Sequence, residues 1–176
     1  MALHQIQLTY NEKQDRVLLR VSTTDGTEFQ FWLTRRFIKR LWGLLVKLLE
    51  QDRPVRQQVD PEAKRTVLGI RHEGFAQQGN FSAPYEKRQY QQPLGVEPLL
   101  VTRAEGRPRE NGNFLLRLHP EDGQGVDIVL DTKLLHLFTK LLQQVVGKTD
   151  WDVSLDLYPE SAPAAADAQV EPRKLN

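Results

Sequence analysis

Cysteine is absent from the 176 residues of this chain, which excludes disulfide bonds, thiol catalysis and thiolate metal sites. Long apolar runs are absent too, because Lys39, Arg40 and Lys47 interrupt the most apolar stretch, so no segment has the length that spans a bilayer. The first residues, MALHQIQLTY, lack a charged start followed by an apolar run, and we expect no signal peptide. These absences predict a reducing cytoplasm as the location and no membrane contact.

An excess of one charge is also missing. Lys and Arg number 24 and Asp and Glu number 23, so no global field attracts nucleic acid or a membrane surface. The charge is nevertheless uneven, since residues 1–59 carry ten basic and six acidic side chains, whereas residues 111–176 carry six and ten. This polarity suits head-to-tail contacts or a basic patch, and a solvated surface explains it equally simply.

The four histidines are His4, His72, His119 and His136, and no two of them have metal-ligand spacing. His136 falls on the polar side of a predicted helix, so we expect a solvated side chain. His72 and Glu73 are the nearest approach to an acid–base pair, but adjacent residues on a helix do not face each other. The histidines therefore predict neither a metal site nor general acid–base catalysis.

Other catalytic signatures are missing as well. No serine stands in a nucleophile-elbow setting, and the glycines fit hairpin turns better than a phosphate-binding loop. The acidic residues near the end of the predicted fold suggest a solvated strand face more than a hard-cation site; they are Asp150, Asp152 and Asp156. We therefore expect a non-catalytic protein with no cofactor.

What the chain does have is one strongly amphipathic stretch, residues 34–50, TRRFIKRLWGLLVKLLE. At about 100° per residue its apolar side chains fill an arc of roughly 160°, which suits a helix that lies on a sheet and touches a second helix. Residues 131–146, DTKLLHLFTKLLQQVV, repeat the pattern. Thr34 and Asp131 are the expected N-caps, and Gly147 suits the end of the second helix.

The similarity extends upstream of both helices at an offset of 97 residues. Matched pairs include Leu19 with Leu116 (116 − 19 = 97) and Gly26 with Gly123 (123 − 26 = 97). The hairpin turn, the helix N-cap and the apolar helix face occupy equivalent positions in the two halves, which favours an internal duplication. The alternative is convergence of two strand–turn–strand–helix units on leucine-rich patterns.

Alternating apolar residues predict strands ahead of each helix. The first three strands are expected at residues 4–10, 17–22 and 27–33, with a hairpin at Asp25 and Gly26. The second three are expected from residue 99, at 114–118 and at 126–130. Alternation of apolar and polar residues from Trp151 to Leu157 predicts a seventh strand, whose acidic outer face would prevent further strand pairing at an edge of the sheet.

The predicted fold class is therefore α+β: a duplicated β-β-β-α unit, with antiparallel sheets each covered by an amphipathic helix, an extra helix between the copies and a final strand. The expected boundaries are 1–52 for the first unit, 53–96 for a linker, 97–158 for the second unit with the final strand, and 159–176 for a disordered tail.

The linker contains a helix start, with Asp60 as the cap and Pro61 at the first position. We expect a helix over residues 60–76 whose apolar face consists of Ala63, Val67, Ile70 and Phe75. A short strand at 67–71 is the alternative, which Gly69 weakens. Residues 77–93 are rich in Gln and predict an irregular loop, the kind of segment in which function often lies.

Three runs of the sequence, LTRRFIKRLW, RHEGFAQQGNFSAPY and PLLVTR, resemble those of a proteobacterial family of conserved, uncharacterised proteins. The resemblance covers most of residues 3–157. It implies a bacterial cytoplasmic protein, and it carries neither an activity nor functional residues.

The first functional hypothesis is a protein-interaction or scaffold module that forms a homodimer or binds another protein. Both amphipathic helices have apolar arcs wider than one sheet contact requires, and such surplus often marks a protein interface. The candidate interface residues are Trp42, Val46 and Leu137. The alternative is that the two helices bury this surface against each other within one monomer.

The second hypothesis is a single-stranded nucleic-acid-binding protein, because a duplicated meander-plus-helix resembles, by architecture only, the PUR-repeat and Whirly proteins. A basic stripe on the first helix and aromatic residues beside cations in the loop support it. The near-zero net charge argues against it. The candidate contacts are Arg36, Arg40, Lys47, Tyr85, Lys87, Arg88 and Tyr90.

Overall fold

A computed structural model describes residues 2–158 and shows a mixed α+β fold, as predicted. The six strands are β1 (Leu3–Asn11), β2 (Arg16–Thr23), β3 (Glu28–Thr34), β4 (Leu99–Pro108), β5 (Phe114–Pro120) and β6 (Val126–Leu130). The four helices are α1 (Arg35–Leu49), α2 (Arg53–Arg56), α3 (Pro61–Gln77) and α4 (Thr132–Val146). Within residues 2–158, no helix is long and apolar enough to cross a membrane. The disordered tail predicted for 159–176 lies outside the described residues.

The strands form one six-stranded sheet in chain order, and not the two separate sheets that the sequence predicted. β1–β2–β3 and β4–β5–β6 are antiparallel meanders, and their hairpin glycines Gly26 and Gly123 have φ of +84° and +110°, which suits glycine. A short parallel contact joins the meanders, since Phe31 pairs with Leu99. The long connection after α1 makes this possible, because a parallel neighbour requires a crossover.

Alternate strand residues point to one face and form the core. Across β2 and β3, Leu19 pairs with Phe31; across β5 and β6, Leu116 pairs with Ile128, and all four are buried. The apolar faces of α1 and α4 cover this inner face. The apolar residues that recur every two positions in the strands and every 3.6 positions in the helices are thus buried in one shared core.

The helices bridge the two meanders, which corrects the prediction that each covers only its own. α1 packs against β4 as well as β3, α4 packs against β1 as well as β6, and the two helices contact each other. β1 and β6 also approach each other. Much of the apolar surplus on the helices is therefore buried within the monomer.

The element bounds repeat at a constant offset. α1 begins at Arg35 and α4 at Thr132, which differ by 97 (132 − 35). Their last residues, Leu49 and Val146, differ by the same number (146 − 49). This register is what a duplication predicts, and the duplication itself stays a prediction.

The prediction of a seventh strand is wrong: residues 151–157 contain no strand. Trp151 and Leu155 are buried, as the alternation required. However, Asp152 has φ of +50°, which a strand does not allow, and side chains bind the carbonyl groups that a partner strand would use. Trp42 donates to the Asp156 carbonyl at 2.9 Å, and Gln143 donates to that of Leu155 at 2.7 Å.

The helix predicted at 60–76 is confirmed as α3, with the Asp60 carboxylate accepting from the Ala63 N–H at 2.7 Å. Its predicted apolar face is correct in part, since Ala63, Val67 and Phe75 are partly buried, but it is wrong at Ile70. Ile70 is 68% exposed, and the buried residues are Leu68, His72 and Ala76. One weakly amphipathic helix does not reveal which face its neighbours cover, and the neighbours here are α2 and α4.

Candidate functional site

The predicted irregular loop lies across the outer face of the first meander, and we call residues 79–92 the strap. The Gln5 side chain of β1 fastens it, since its amide nitrogen donates to the Pro84 carbonyl and its oxygen accepts from the Glu86 N–H, both at 3.0 Å. His4 hydrogen-bonds to the Glu86 carboxylate at 2.7 Å. The pKa of Glu86 is lowered, chiefly by this hydrogen bond. The strap is thus a docked segment of defined position.

The buried carboxylate of Glu28 is the second anchor of the strap. It accepts hydrogen bonds from Tyr85 Oη at 2.7 Å, from the Gln92 amide at 2.9 Å and from the Gln30 amide at 2.6 Å. Burial acts to raise the pKa of Glu28, but these three donors outweigh it and leave the pKa below its ordinary value. Burial and the neighbouring carboxylate raise the pKa of Tyr85, which therefore remains a neutral donor.

The end of the strap is tied through its backbone. The Gln91 N–H donates to the Gly26 carbonyl, and the Glu28 N–H donates to the Gln91 carbonyl, both at 2.9 Å. The Arg88 guanidinium donates to the Thr23 carbonyl at 3.4 Å. The end of the strap is therefore bound to the hairpin between β2 and β3.

Between the strap and the sheet lies an open depression of about 550 Å³, which we call the polar depression. The rings of Tyr85 and Tyr90 lie in it, with centroids 6.0 Å apart. The guanidinium of an arginine lies over each ring. Arg20 lies 5.5 Å from the Tyr85 centroid and Arg88 lies 5.0 Å from that of Tyr90. Its lining consists of Arg20, Glu28, Gln30, Tyr85, Glu86, Lys87, Arg88, Gln89, Tyr90 and Gln92.

The four loop residues predicted as nucleic-acid contacts, Tyr85, Lys87, Arg88 and Tyr90, all line the polar depression. Sequence reasoning missed the sheet residues Arg20, Glu28 and Gln30 and the strap residue Gln92. Three of these lie on or beside the outer face of β2 and β3, where polar residues alternate with apolar ones in the usual manner of a solvated face. The one available signal was Glu28, an acidic residue at the start of a strand that is otherwise rich in aromatics.

The predicted helical contacts lie elsewhere. Arg36, Arg40 and Lys47 are exposed on α1, which packs on the inner face of the sheet, whereas the polar depression lies on the outer face. These three cations therefore do not join the loop residues in one surface.

The three predicted interface residues also differ in their burial and location. Trp42 is buried, only 8% exposed, and its indole N–H donates to the Asp156 carbonyl of its own chain. Val46 is partly buried against the core. Leu137 is partly exposed and lines an apolar groove of about 350 Å³. We call this space the α4 groove; it is bounded by residues 3–8 of β1, by Gly79, Asn80, Phe81, Ala83 and Tyr85 of the strap, and by Leu134, Leu137, Phe138 and Leu141 of α4.

The contact between α3 and α4 contains two histidines, which corrects the prediction of a solvated His136. Its side chain is 0% exposed, and its Nδ1 lies 3.1 Å from Nδ1 of His72. The ring of Phe75 stacks on that of His136 at 5.0 Å. The residues are separated by 64 positions in sequence (136 − 72), which is why no spacing rule could pair them.

The described part of the chain contains no group of three or more His, Cys, Asp or Glu side chains that could hold a metal ion. The His72–His136 pair supplies two nitrogen ligands, fewer than zinc sites use. In the polar depression, Glu28 is saturated by donors and kept ionised, which suits an anchor and not a general acid. The chemistry of the polar depression is therefore stacking, hydrogen bonding and charge pairing.

No family model matches the chain, and the curated proteins and the solved structures that were compared with it likewise gave no match.

Proposed function

We propose that the protein binds single-stranded nucleic acid at the polar depression. The observation that carries the proposal is the convergence of Tyr85, Tyr90, Arg20, Lys87 and Arg88 on one open surface. Aromatic rings beside cations are how single strands are bound without sequence preference, because every base has a face that stacks. No covalent chemistry is involved.

The two tyrosines have different roles in this proposal. Tyr85 is held by Glu28 and its ring is covered by Arg20, so it shapes the surface. Tyr90 hydrogen-bonds to the Glu86 carbonyl at 3.1 Å, which fixes the ring while it stays partly exposed. Tyr90 is therefore the stacking residue, and a base takes the place of the Arg88 guanidinium on its ring, which leaves Arg88 to contact a phosphate.

Lys87 and Arg88 are exposed on the strap and supply the phosphate contacts. Glu86 lies beside them and hydrogen-bonds to His4, and Glu28 is buried under three donors. The lining has three cations, Arg20, Lys87 and Arg88, and these two carboxylates, so its net charge is +1 (3 − 2). A few phosphate contacts of this kind give weak, salt-sensitive binding.

Fluorescence anisotropy with a labelled 12-nucleotide single strand at low salt tests the proposal. We expect binding by the native chain and a loss of about tenfold for the double variant K87Q/R88Q. The slope of log K against log salt should decrease by about 0.7 for each phosphate contact removed from a single strand. Tyr90→Leu should cost about 1–3 kcal/mol, the usual contribution of one stacked base.

The matched control is R36Q/R40Q, which removes the same charge from α1 on the opposite side of the sheet. It should retain most of the affinity. Absence of binding by the native chain at low salt refutes the function, and a greater loss in the α1 variant than in the strap variant refutes the site.

The second candidate function is the protein-interaction module, with self-association as its simplest form. Partial exposure of Leu137 and Val46 favours it, whereas burial of Trp42 in its own chain removes that residue from the candidate surface. Light scattering at micromolar concentration distinguishes a homodimer from a monomer. A dimer dispersed by Leu137→Gln supports this function, and a strict monomer rejects the homodimer.

We also infer that the two halves of the fold arose by internal duplication and that the chain is bacterial and cytoplasmic. The offset of 97 between the bounds of α1 and α4 supports the first inference. The resemblance of LTRRFIKRLW and PLLVTR to a proteobacterial family supports the second. Expression of the chain in a bacterial host and cell fractionation test the location.

A further inference from the structure

The outer face of the sheet carries an apolar row that lies apart from the core. Trp32 of β3 pairs with Leu18 of β2 on one side and with Leu100 of β4 on the other, and we call these three residues the tryptophan row. They alternate with residues that point into the core, such as Phe31. All three are partly exposed, and within residues 2–158 none of them packs against the hydrophobic core. Core packing therefore does not account for an aromatic side chain at this position.

The tryptophan row continues the polar depression along the same two strands. Arg20 and Gln30 line the depression and pair with each other across β2 and β3. Trp32 follows Gln30 by two residues, about 7 Å at roughly 3.4 Å per residue, and its side chain points to the same face. The strap buries Glu28 at the start of β3 and leaves Trp32 near its end partly exposed. The row is therefore adjacent to the depression on a part of the sheet that the strap leaves open.

The charge around the tryptophan row suits a polyanion. Beyond the strap, the outward positions of β1, β2 and β3 carry Arg16 and Arg20 and no acidic side chain. The two arginines lie two residues before and two residues after Leu18. Within residues 2–158 neither of them forms a salt bridge, and the Nε–H of Arg20 is buried without an acceptor. A phosphate oxygen is an acceptor that would satisfy such a donor.

The corresponding place in the second meander lacks both features. At the offset of 97 residues, Val129 corresponds to Trp32 (129 − 32) and Arg117 corresponds to Arg20 (117 − 20). Arg117 is bound to the Asp127 carboxylate by two hydrogen bonds, of which that from Nη2 measures 2.8 Å. Opposite Arg20 the chain has an uncharged amide instead. The aromatic ring and the unpaired cation thus occur together in the first half and are missing together from this place in the second.

We propose that the tryptophan row is a second base-binding site, at which a base of the bound single strand stacks on Trp32 while Arg16 and Arg20 contact its phosphates. The inference rests on the proposed function and extends it, because it gives the strand a path from Tyr90 across the outer face of β2 and β3. An indole ring offers a large face for stacking, and the flanking leucines hold it in place.

Two readouts on the full chain, with a labelled 12-nucleotide single strand at low salt, test the second site. Trp32 is the one partly exposed tryptophan among three, since Trp42 and Trp151 are only 8% and 2% exposed. A base that stacks on Trp32 should therefore quench the intrinsic fluorescence in parallel with the anisotropy signal. Trp32→Leu should remove the quenching and weaken binding by about tenfold, within the usual range for one stacked base. Trp32→Phe, which keeps a ring, should retain most of the affinity.

Arg16→Gln tests the path of the strand without altering the apolar row. It should decrease the slope of log K against log salt by about 0.7, which corresponds to one phosphate contact of a single strand. Val129→Ala, at the corresponding place in the second meander, is the matched control for Trp32 and should leave both readouts unchanged.

The outcomes separate this inference from the proposed function. Binding without quenching overturns the second site and leaves the polar depression as the whole of the binding surface. An affinity that is unchanged in both Trp32→Leu and Arg16→Gln overturns it as well. Absence of any binding by the native chain refutes the proposed function and this inference together.

Discussion

His72 and His136 share one hydrogen bond between their Nδ1 atoms, and the direction of its proton follows from the groups beyond it. The Gln143 amide nitrogen donates to the Leu155 carbonyl, so its oxygen faces His72 Nε2 at 3.3 Å and accepts from it. His72 Nδ1 is then a bare acceptor, and His136 Nδ1–H is the donor. His136 Nε2 remains a buried lone pair with no partner among the described residues.

Both rings are neutral in this arrangement. Burial lowers the pKa of His136 to about 3, with the neighbouring His72 and the charge on Arg71 acting in the same direction. Burial also lowers the pKa of His72; the Gln143 hydrogen bond and Glu73 oppose the shift, whereas Lys140 reinforces it. A proton on either ring would disrupt the chain of hydrogen bonds and place a charge between two helices.

The first prediction is that stability decreases as the pH falls below about 6.5. The unfolded histidines take up protons near that value, whereas the folded His136 does so only near pH 3, so the unfolded state binds more protons between the two values. His136 should therefore cost about 1.4 kcal/mol of unfolding free energy per pH unit in this window. The lowered pKa of His72 acts in the same direction. Above pH 6.5 the contribution is constant. Urea unfolding at pH 5, 6 and 7 measures the slope.

The control for this prediction is His136→Phe, which removes one titrating group and keeps a ring beside Phe75. Its slope between pH 5 and 6 should be smaller by about 1.4 kcal/mol per pH unit. An unchanged slope would show that other groups, such as the buried carboxylates, cause the acid sensitivity.

The second prediction concerns Trp42, which the structure places inside the monomer. Trp42→Phe removes the hydrogen bond to the Asp156 carbonyl and leaves a small cavity. We expect a loss of about 1–3 kcal/mol, the sum of a net hydrogen bond and partial loss of packing. Urea unfolding measures it, and Trp32→Phe on the outer face is the control, because that side chain is only partly buried. A larger loss for Trp32 than for Trp42 contradicts the burial.

The sequence predicted those elements whose signal is local. The alternation of β1 to β6, the Asp25–Gly26 turn and the apolar arc of α1 each arise within about 20 residues, and all appear where they were expected. Alternation over residues 151–157 did not produce a strand, because the side chains of Trp42 and Gln143 bind carbonyl groups there. The parallel contact of β3 with β4 depends on where a long connection ends, which no local period encodes. His136 was misplaced for the same reason: it lies off the main apolar face of α4, and α3, which covers it, begins 75 residues earlier (136 − 61).

The loop residues of the candidate site could be predicted from the sequence, whereas its sheet residues could not. Tyr85 and Tyr90 attracted attention because aromatics beside Lys87 and Arg88 are unusual in a Gln-rich loop. Glu28, in contrast, occupies an outward position of its strand, where an acidic residue is ordinary. Only the docked strap makes it a buried anchor, and that docking is a contact across 57 residues (85 − 28).

The third prediction is that the Glu28 anchor controls access to the strap. Tyr85→Phe removes one of three donors to the carboxylate, so the strap should detach more often and expose the bonds after Lys87 and Arg88. We expect trypsin to cleave there about fivefold to tenfold faster, because a lost hydrogen bond to a charged group costs about 1–3 kcal/mol, only part of which is lost when two donors remain. Mass spectrometry of the fragments measures the rate.

Tyr10→Phe is the control for the strap. It also removes a tyrosine hydrogen bond to a carboxylate, that of Asp15 at 2.8 Å, but at the far end of β1. Cleavage after Lys87 should be unaffected by this change. Equal acceleration in the two variants would mean that global unfolding, and not release of the strap, exposes the bond.

The last prediction uses the equivalent caps of α1 and α4. The Thr34 hydroxyl accepts from the Phe37 N–H at 3.2 Å, and the Asp131 carboxylate accepts from the Leu134 N–H at 2.7 Å. Replacing either by Ala should cost about 1 kcal/mol. Asp131→Ala should cost a further 0.3–1 kcal/mol, roughly, because its charge also interacts with the helix dipole.

Salt separates the two contributions of the caps. The dipole part of the Asp131 loss should decrease in 1 M NaCl, since exposed charge interactions are screened over about 3 Å at that concentration, whereas the Thr34 loss should stay constant. Urea unfolding with and without salt measures both, and Gln144→Ala, at an exposed and uncharged position near the end of α4, reports the effect of surface substitution alone. Equal losses of unfolding free energy that do not respond to salt would mean that the hydrogen bond accounts for the whole contribution of each cap. Thr34 and Asp131 would then stabilise their helices equally despite their different side chains.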